Sequence, residues 1–168
     1  GRIALQLGAD RQKSFLSRLG FAEATPVELS EAPSGAPLLP KNWSEISTIT
    51  ISFGHGLSSS PLHLAAAYAS LLNGGTRVTP TLLRSDTVQQ GERIVRPETS
   101  ARARSMLRQV VVRGTASMGE VPGYLVGGKT GTADKAKPTG GYYDDKVIAT
   151  FASICPANDP KYVLIVTL

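Results

Sequence analysis

Apolar positions recur at helical spacing in several stretches of the chain and at strand spacing near its end. Residues 1–7 open directly on a short helical pattern. Over residues 11–19, Phe15, Leu16 and Leu19 share one helical face, with Asp10 placed to cap the start and Gly20 to stop it. Ser60 and Pro61 then introduce the run LHLAAAYASLLN, which ends at Gly74-Gly75. Ser suits the cap, and Pro suits a first turn whose N–H needs no partner. The run is apolar nearly all round, which predicts a buried core helix too short to cross a membrane. Residues 97–112 predict another helix, opened by Pro97 and closed by Gly114, with Ala103, Met106, Leu107, Val110 and Val111 facing inward.

Alternation predicts the strands. Residues 47–53 alternate Ile49 and Ile51 with Thr and Ser, then meet a tight turn at Gly54-His55-Gly56. Residues 78–83 and 87–95 read as a short β excursion. A strand starts at 124–126 and runs into GGKTGT. Residues 147–155 and 161–168 are two strong strands joined by Pro-Ala-Asn-Asp-Pro, a hairpin-length connection. Two stretches read as loops: 23–43, with Pro26, Pro33, Pro37 and Pro40, and the polar, Gly/Pro-rich 134–145. Helices first and antiparallel strands last predict the α+β class.

A length of 168 residues suits one domain, at about 150 residues each. Hydrophobic residues at 41% and charged residues at 18% make it globular. The single Cys155 excludes an internal disulfide and a thiolate metal cluster, and reads as a small buried hydrophobe. No apolar run approaches 18 residues, and no basic-then-apolar leader opens the chain. Gly1 enters a helical pattern at once and Leu168 ends a strand with no turn after it, as in a piece of a longer polypeptide. The net charge of +5 raises the question of nucleic acid, because six arginines lie between Arg93 and Arg113. Glu92 and Glu98 accompany them, and no aromatic residue is there to stack on a base. A solvated helix face, with no nucleic-acid partner, is the expectation. His55 and His63 have no Cys, Asp or Glu at ligand spacing, so they read as structural, with no metal implied. Asp144 and Asp145 are adjacent and point apart, which suits a solvated turn. Tyr142 and Tyr143 follow Gly140-Gly141 and either touch substrate or simply pack.

One segment admits two chemical readings. Residues 123–130, GYLVGGKT, fit the phosphate-binding pattern G-x-x-x-x-G-K-[ST]. That loop must lead into a helix, yet Gly131, Pro138, Gly140 and Gly141 follow, and its interior Tyr124-Leu125-Val126 is strand material. Alternatively, Lys129-Thr130-Gly131 is the K-T-G of penicillin-recognising serine enzymes. That motif needs an edge strand lining a cleft. Lys129 would supply charge, Gly131 a close approach to the backbone, and the Thr130 and Thr132 hydroxyls a grip on a carboxylate.

Three separated blocks extend the second reading. VPGYLVGGKTGTADKA resembles the K-T-G-T region of class B penicillin-binding proteins. FGHGLSSSPLHLAAAYASLLNGG resembles the buried helix preceding it, and RIALQLGADRQKSFLSRLGF the stretch after their S-x-N motif. The order is the family's, and the G-H-G form looks most like the division-specific enzyme of the septum, with the elongation-specific relative as the near alternative. The resemblance implies an antiparallel sheet flanked by helices, as in serine β-lactamases, with residues 1–168 as the C-terminal portion of a transpeptidase domain. It also implies a Ser nucleophile acylated by a peptidoglycan stem peptide and resolved by an amine of a second one. β-Lactams trap that Ser, and no cofactor is needed. Lys129 and Thr132 would take part in catalysis, and Lys129, Thr130, Gly131 and Thr132 would bind substrate. The parent would be an inner-membrane protein with this domain in the periplasm and with cell-division membrane proteins as partners. The chain departs from the pattern in one respect. No Ser has a Lys three residues on, and Asn42, Asn73 and Asn158 lack a Ser two residues before. The nucleophile, its base and the middle motif are therefore expected upstream, in a part of the same domain that packs with this one. This chain alone would be inactive. The competing class is a non-catalytic binding module that keeps the fold.

Overall fold

A computed structural model describes residues 1–25, 27–30, 35–87 and 91–168. They form two compact units, Gly1–Leu71 with Gly75–Arg96, and Leu72–Gly74 with Pro97–Leu168.

The first unit carries α1 (Arg2–Leu7), α2 (Ala9–Arg18), α3 (Glu45–Ile51) and nearly all of α4 (Pro61–Leu72). Its core is Leu19, Phe21, Ala67 and Ile94, with Phe15, Leu16 and Val95 packed around them. The apolar face predicted for α2 is therefore the one that is buried. The cap differs from the expectation, because Gly8 takes that position and Asp10 lies in the first turn. Gly8 donates to the Ala4 carbonyl (2.9 Å) and accepts from Gln12 N–H (3.1 Å), so one residue ends α1 and starts α2. The acidic Asp10 still favours the positive end of the helix dipole.

Residues 47–53 correct the sequence reading, since the expected strand is the helix α3. Ser44 decides it. Its side chain accepts from Ser47 N–H at 3.1 Å, and Glu45 occupies the first turn. The β-branched residues cost little there. Thr48 Oγ1 donates to the Ser44 carbonyl (3.1 Å) and Thr50 Oγ1 to the Ser47 carbonyl (3.2 Å). Thr48 and Ile51, three apart, form the buried side, and the Thr48 carbonyl accepts from Gln12 Nε2 at 3.0 Å.

Helix α4 starts as predicted, with His63 N–H donating to Ser60 Oγ at 3.3 Å. Its buried face is His63, Ala67 and Ser70; Leu64 and Leu71 are half-buried and Leu62 is exposed, so within this chain the helix is not covered all round. His63 is fully occupied: Nδ1 meets Ser60 Oγ (2.8 Å), Nε2 meets the Glu23 carbonyl (2.9 Å), and the ring stacks on Phe21. That is a structural histidine, as expected.

The described part of the loop at 23–43 makes one bridge, Leu38 with Ser58; Pro26 and Pro33 lie outside the described residues. The β excursion at 78–95 is likewise reduced to one bridge among the described residues, Thr76 with Arg93, and 88–90 lie outside them. Ile94 N–H donates to the Gly75 carbonyl at 2.7 Å. Gly75 has φ 91°, and a Cβ there would sit 2.3 Å from the Val95 carbonyl oxygen, so only glycine fits.

The second unit holds α5 (Pro97–Arg113), a 3₁₀ turn (Ser117–Gly119) and an antiparallel sheet of β1 (Gly127–Ala136), β2 (Tyr142–Cys155) and β3 (Tyr162–Thr167), in that order. Helix α5 packs on β1. Ser100 and Val111 are fully buried on it, while Ala103, Leu107 and Val110 are half-buried. Met106, expected inside, is 64% exposed. Arg104 and Arg108 take the inward positions instead. Arg104 Nη1 donates to the Leu72 carbonyl (2.9 Å) and to Ser100 Oγ (3.1 Å). The arginine cluster is therefore only partly the solvated face that composition suggests.

The polar stretch 134–145, read as a loop, is mostly hairpin. β1 and β2 continue into it and turn at 137–141, where Lys137 N–H donates to the Gly141 carbonyl (2.9 Å). Both faces are solvated there, so no apolar alternation marks the strands.

Replacing Ser44 by Ala should lower stability by about 1 kcal/mol in a denaturant titration of the protein. Leu72, 1% exposed, should cost about 2–5 kcal/mol as Leu72→Ala. A neutral Ser44→Ala would mean that α3 is not held by its cap.

Candidate active-site edge

Among the described residues β1 pairs only with β2, which makes it an edge of the sheet. Its register sets Lys129 opposite Ala152, Thr130 opposite Phe151, Gly131 opposite Thr150 and Thr132 opposite Ala149. All four K-T-G-T residues thus lie along a free strand edge, whose outward N–H and C=O groups can pair with an extended ligand. The pleat places Thr130 and Thr132 on one face, Lys129 and Gly131 on the other. No helix follows Thr130, so the phosphate-loop geometry is absent: β1 runs on to Ala136.

The root of the strand is fixed tightly. Gly127 and Gly128 are buried, and a Cβ on Gly128 would meet the Ala152 carbonyl oxygen at 2.7 Å. Lys129 onward is largely exposed. A Cβ on Gly131 would meet nothing within 4 Å, so that edge is open. Lys129 Nζ donates to the Thr130 carbonyl at 2.6 Å, and among the described residues no carboxylate pairs with it. Its charge is available to an anion. The edge can therefore offer an ammonium group, two hydroxyls and backbone donors to a peptide carboxylate.

Two supports of this edge were not legible in the sequence. Thr115 Oγ1 lies 2.9 Å from Thr130 Oγ1. Arg108 grips the approach to β1, with Nη1 donating to the Val126 carbonyl (2.8 Å) and Nη2 to Glu120 Oε1 (2.8 Å). The hydrogen bond from Arg108 holds the Glu120 carboxyl below its usual range, and the same bond raises the guanidinium. Only the pairing of distant elements creates these contacts.

The whole sequence, residues 1–168, matches the family described as Penicillin binding protein transpeptidase domain. The chain belongs to that family. It is 38% identical to penicillin-binding protein PbpB of Mycolicibacterium smegmatis, over 96% of this chain and 28% of that protein. With the probable peptidoglycan D,D-transpeptidase FtsI of Caulobacter vibrioides it shares 34% identity, over 99% and 30%. Among solved structures it is similar to the TP domain of penicillin-binding protein 3 from Burkholderia pseudomallei, with 34% identity and TM-score 0.90 over 99% of this chain and 51% of that one. It is also similar to penicillin-binding protein 3 of Mycobacterium tuberculosis complexed with ampicillin, with 32% identity and TM-score 0.89 over 99% and 41%. This chain spans under a third of those two curated relatives.

The α+β class read from the order of helices and strands, and the antiparallel sheet flanked by helices that the resemblance implies, are the fold of the family. Tyr143 has Lys146 Nζ 4.8 Å and Lys137 Nζ 5.6 Å from its ring centroid, at the hairpin end. Asp144 and Asp145 are solvated, as expected, though on β2 rather than in a turn. Cys155 is half-buried at the end of β2. No helix is long and apolar enough to cross a membrane among the described residues.

Glu120 adds stability above its unfolded pKa of about 4.5, and loses it as pH falls through its lower folded value. Glu120→Gln should therefore flatten the acid limb of a stability-versus-pH curve relative to the parent protein. Superimposable acid limbs would show that the Arg108 pair contributes nothing net.

Proposed function

We propose that this chain forms one wall of the active site of a serine peptidoglycan D,D-transpeptidase that cross-links stem peptides during septal wall synthesis. The observation that carries the proposal is the K-T-G-T run on an open sheet edge in a chain of this family. Lys129 and the Thr130 and Thr132 hydroxyls hold the carboxylate of the donor peptide, which pairs along the edge beside Gly131. Acyl transfer puts negative charge on the scissile carbonyl oxygen, and the Thr132 backbone N–H is one of two donors aimed at it. The second donor is the N–H of the nucleophile. The nucleophile is a Ser outside this chain, which has no Ser-x-x-Lys of its own. An amine of a second stem peptide then releases the acyl group as the cross-link. β-Lactams occupy the same edge and acylate the same Ser; one similar structure, from Mycobacterium tuberculosis, is described as complexed with ampicillin. The G-H-G block and the relative named FtsI favour the septal enzyme. In that setting the parent is anchored in the inner membrane, this domain faces the periplasm, and its partners are membrane proteins of division.

Fluorescent penicillin tests the assignment. The full-length protein should be labelled covalently, and the isolated chain should give no band at 17.7 kDa. Within the full-length protein, Thr132→Val keeps the backbone donor and should cost about 1.5–3 kcal/mol of acylation barrier. Lys129→Ala should cost more. Gly131→Val has room within this unit, so its loss of acylation with an unchanged melting temperature reports blockage of the pairing edge. Unaltered second-order acylation rates in Lys129→Ala and Gly131→Val would remove this strand from the cleft.

A further inference from the structure

Thr115 follows the glycine that ends α5, and nothing in its position along the sequence marks it. The turn holding it is rigid. Gly114 and Ala116 N–H both donate to the Val110 carbonyl (2.9 and 3.3 Å), and Ser117 N–H donates to the Gly114 carbonyl (3.3 Å). Ala116 is buried while Thr115 is exposed, so the turn fixes Thr115 against Thr130 at the site face. Their hydroxyl oxygens are 2.9 Å apart.

Two hydroxyls in contact share one hydrogen bond, and each has a single proton. A carboxylate is an acceptor only. For Thr130 to donate to a ligand carboxylate, its proton must point away from Thr115, which leaves Thr115 as the donor to Thr130 Oγ1. We propose that Thr115 is a positioning residue: its hydroxyl donates to Thr130 and thereby aims the Thr130 proton at the ligand carboxylate. The inference rests on the carboxylate-binding role of the K-T-G-T edge. Two such bonds in series polarise each other, so the outer one strengthens when the inner one is present. The chain of donors runs from the end of α5 through Thr115 and Thr130 to the ligand. A methyl group at either link breaks it.

The test uses the full-length protein, with ampicillin and its methyl ester, which lacks the carboxylate, as probes of the second-order acylation rate. Thr115→Val should slow ampicillin by roughly 3- to 10-fold, the worth of one hydrogen bond, and leave the ester within about twofold. Thr115→Ser should restore the rate. In a Thr130→Val background, Thr115→Val should have no further effect. Equal slowing of both probes, or a fully additive loss in the double variant, would reduce Thr115 to a structural tie and overturn the proposal. Thr115→Ala replaces Thr115→Val should the latter not fold. Lys129→Ala separates the two levels. If it reacts with ampicillin at the parent rate, the edge itself is misassigned. If it is slow while Thr115→Val matches the parent, only the role of Thr115 falls.

Discussion

The one-sided pairing of β1 is the constraint on which the site depends. A strand with a partner on both sides has no backbone groups left for a ligand, and a strand with none has no fixed shape. Among the described residues, β1 has β2 on one side and an open edge on the other, over the four residues of the K-T-G-T run. Its root is set by close backbone approach: Gly128 is held against Ala152 and Phe151, and Arg108 secures the Val126 carbonyl just before the strand. Position is thus imposed from one end and one side, and the remaining side is free. Exposed edges invite unwanted pairing, and the charges of Lys129, Asp134 and Lys135 along this one discourage it.

Arginine on α5 shows how a surface-type residue becomes structural. The inward stripe of that helix runs through Ser100, Arg104, Arg108 and Val111, at helical spacing. Arg104 and Arg108 supply donors to the Leu72 and Val126 carbonyls inside the unit. The two guanidinium groups reach them along aliphatic stems, and Glu120 neutralises one of the charges. Met106 lies on the opposite, exposed side of that helix.

The sequence was most legible where local signals agreed. Helices α2, α4 and α5 each joined an apolar face to a stop at glycine, and the β2–β3 hairpin joined two β-branched runs by a polar loop. It misled where a side chain made a local decision. The alternation of Ile49 and Ile51 pointed to a strand, yet the Ser44 cap and the Thr back-bonds made a helix. It misled again where both faces of a strand meet water, since 134–145 reads as a loop and is mostly hairpin. For the site, Lys129, Thr130, Gly131 and Thr132 could be read as a motif on an edge strand, because chemistry and extended structure coincide in one short run. Thr115 and the Arg108–Glu120 pair could not, since their meaning arises only when α5 and β1 are brought together.

Burial along β1 changes within a few residues, from covered at Gly127 and Gly128 to solvated beyond Thr130. Local opening is governed by how much packed surface must be broken, so root and tip belong to different regimes of hydrogen exchange. The tip, with water on both faces and Lys137 and Lys146 over its Tyr143 ring, can fray and re-form without disturbing the root. Lys129 and Thr130 sit at the crossover. One continuous strand therefore joins a slowly exchanging anchor to a fast-exchanging arm, and a peptide laid along its edge would quench the exchange of the arm far more than that of the anchor.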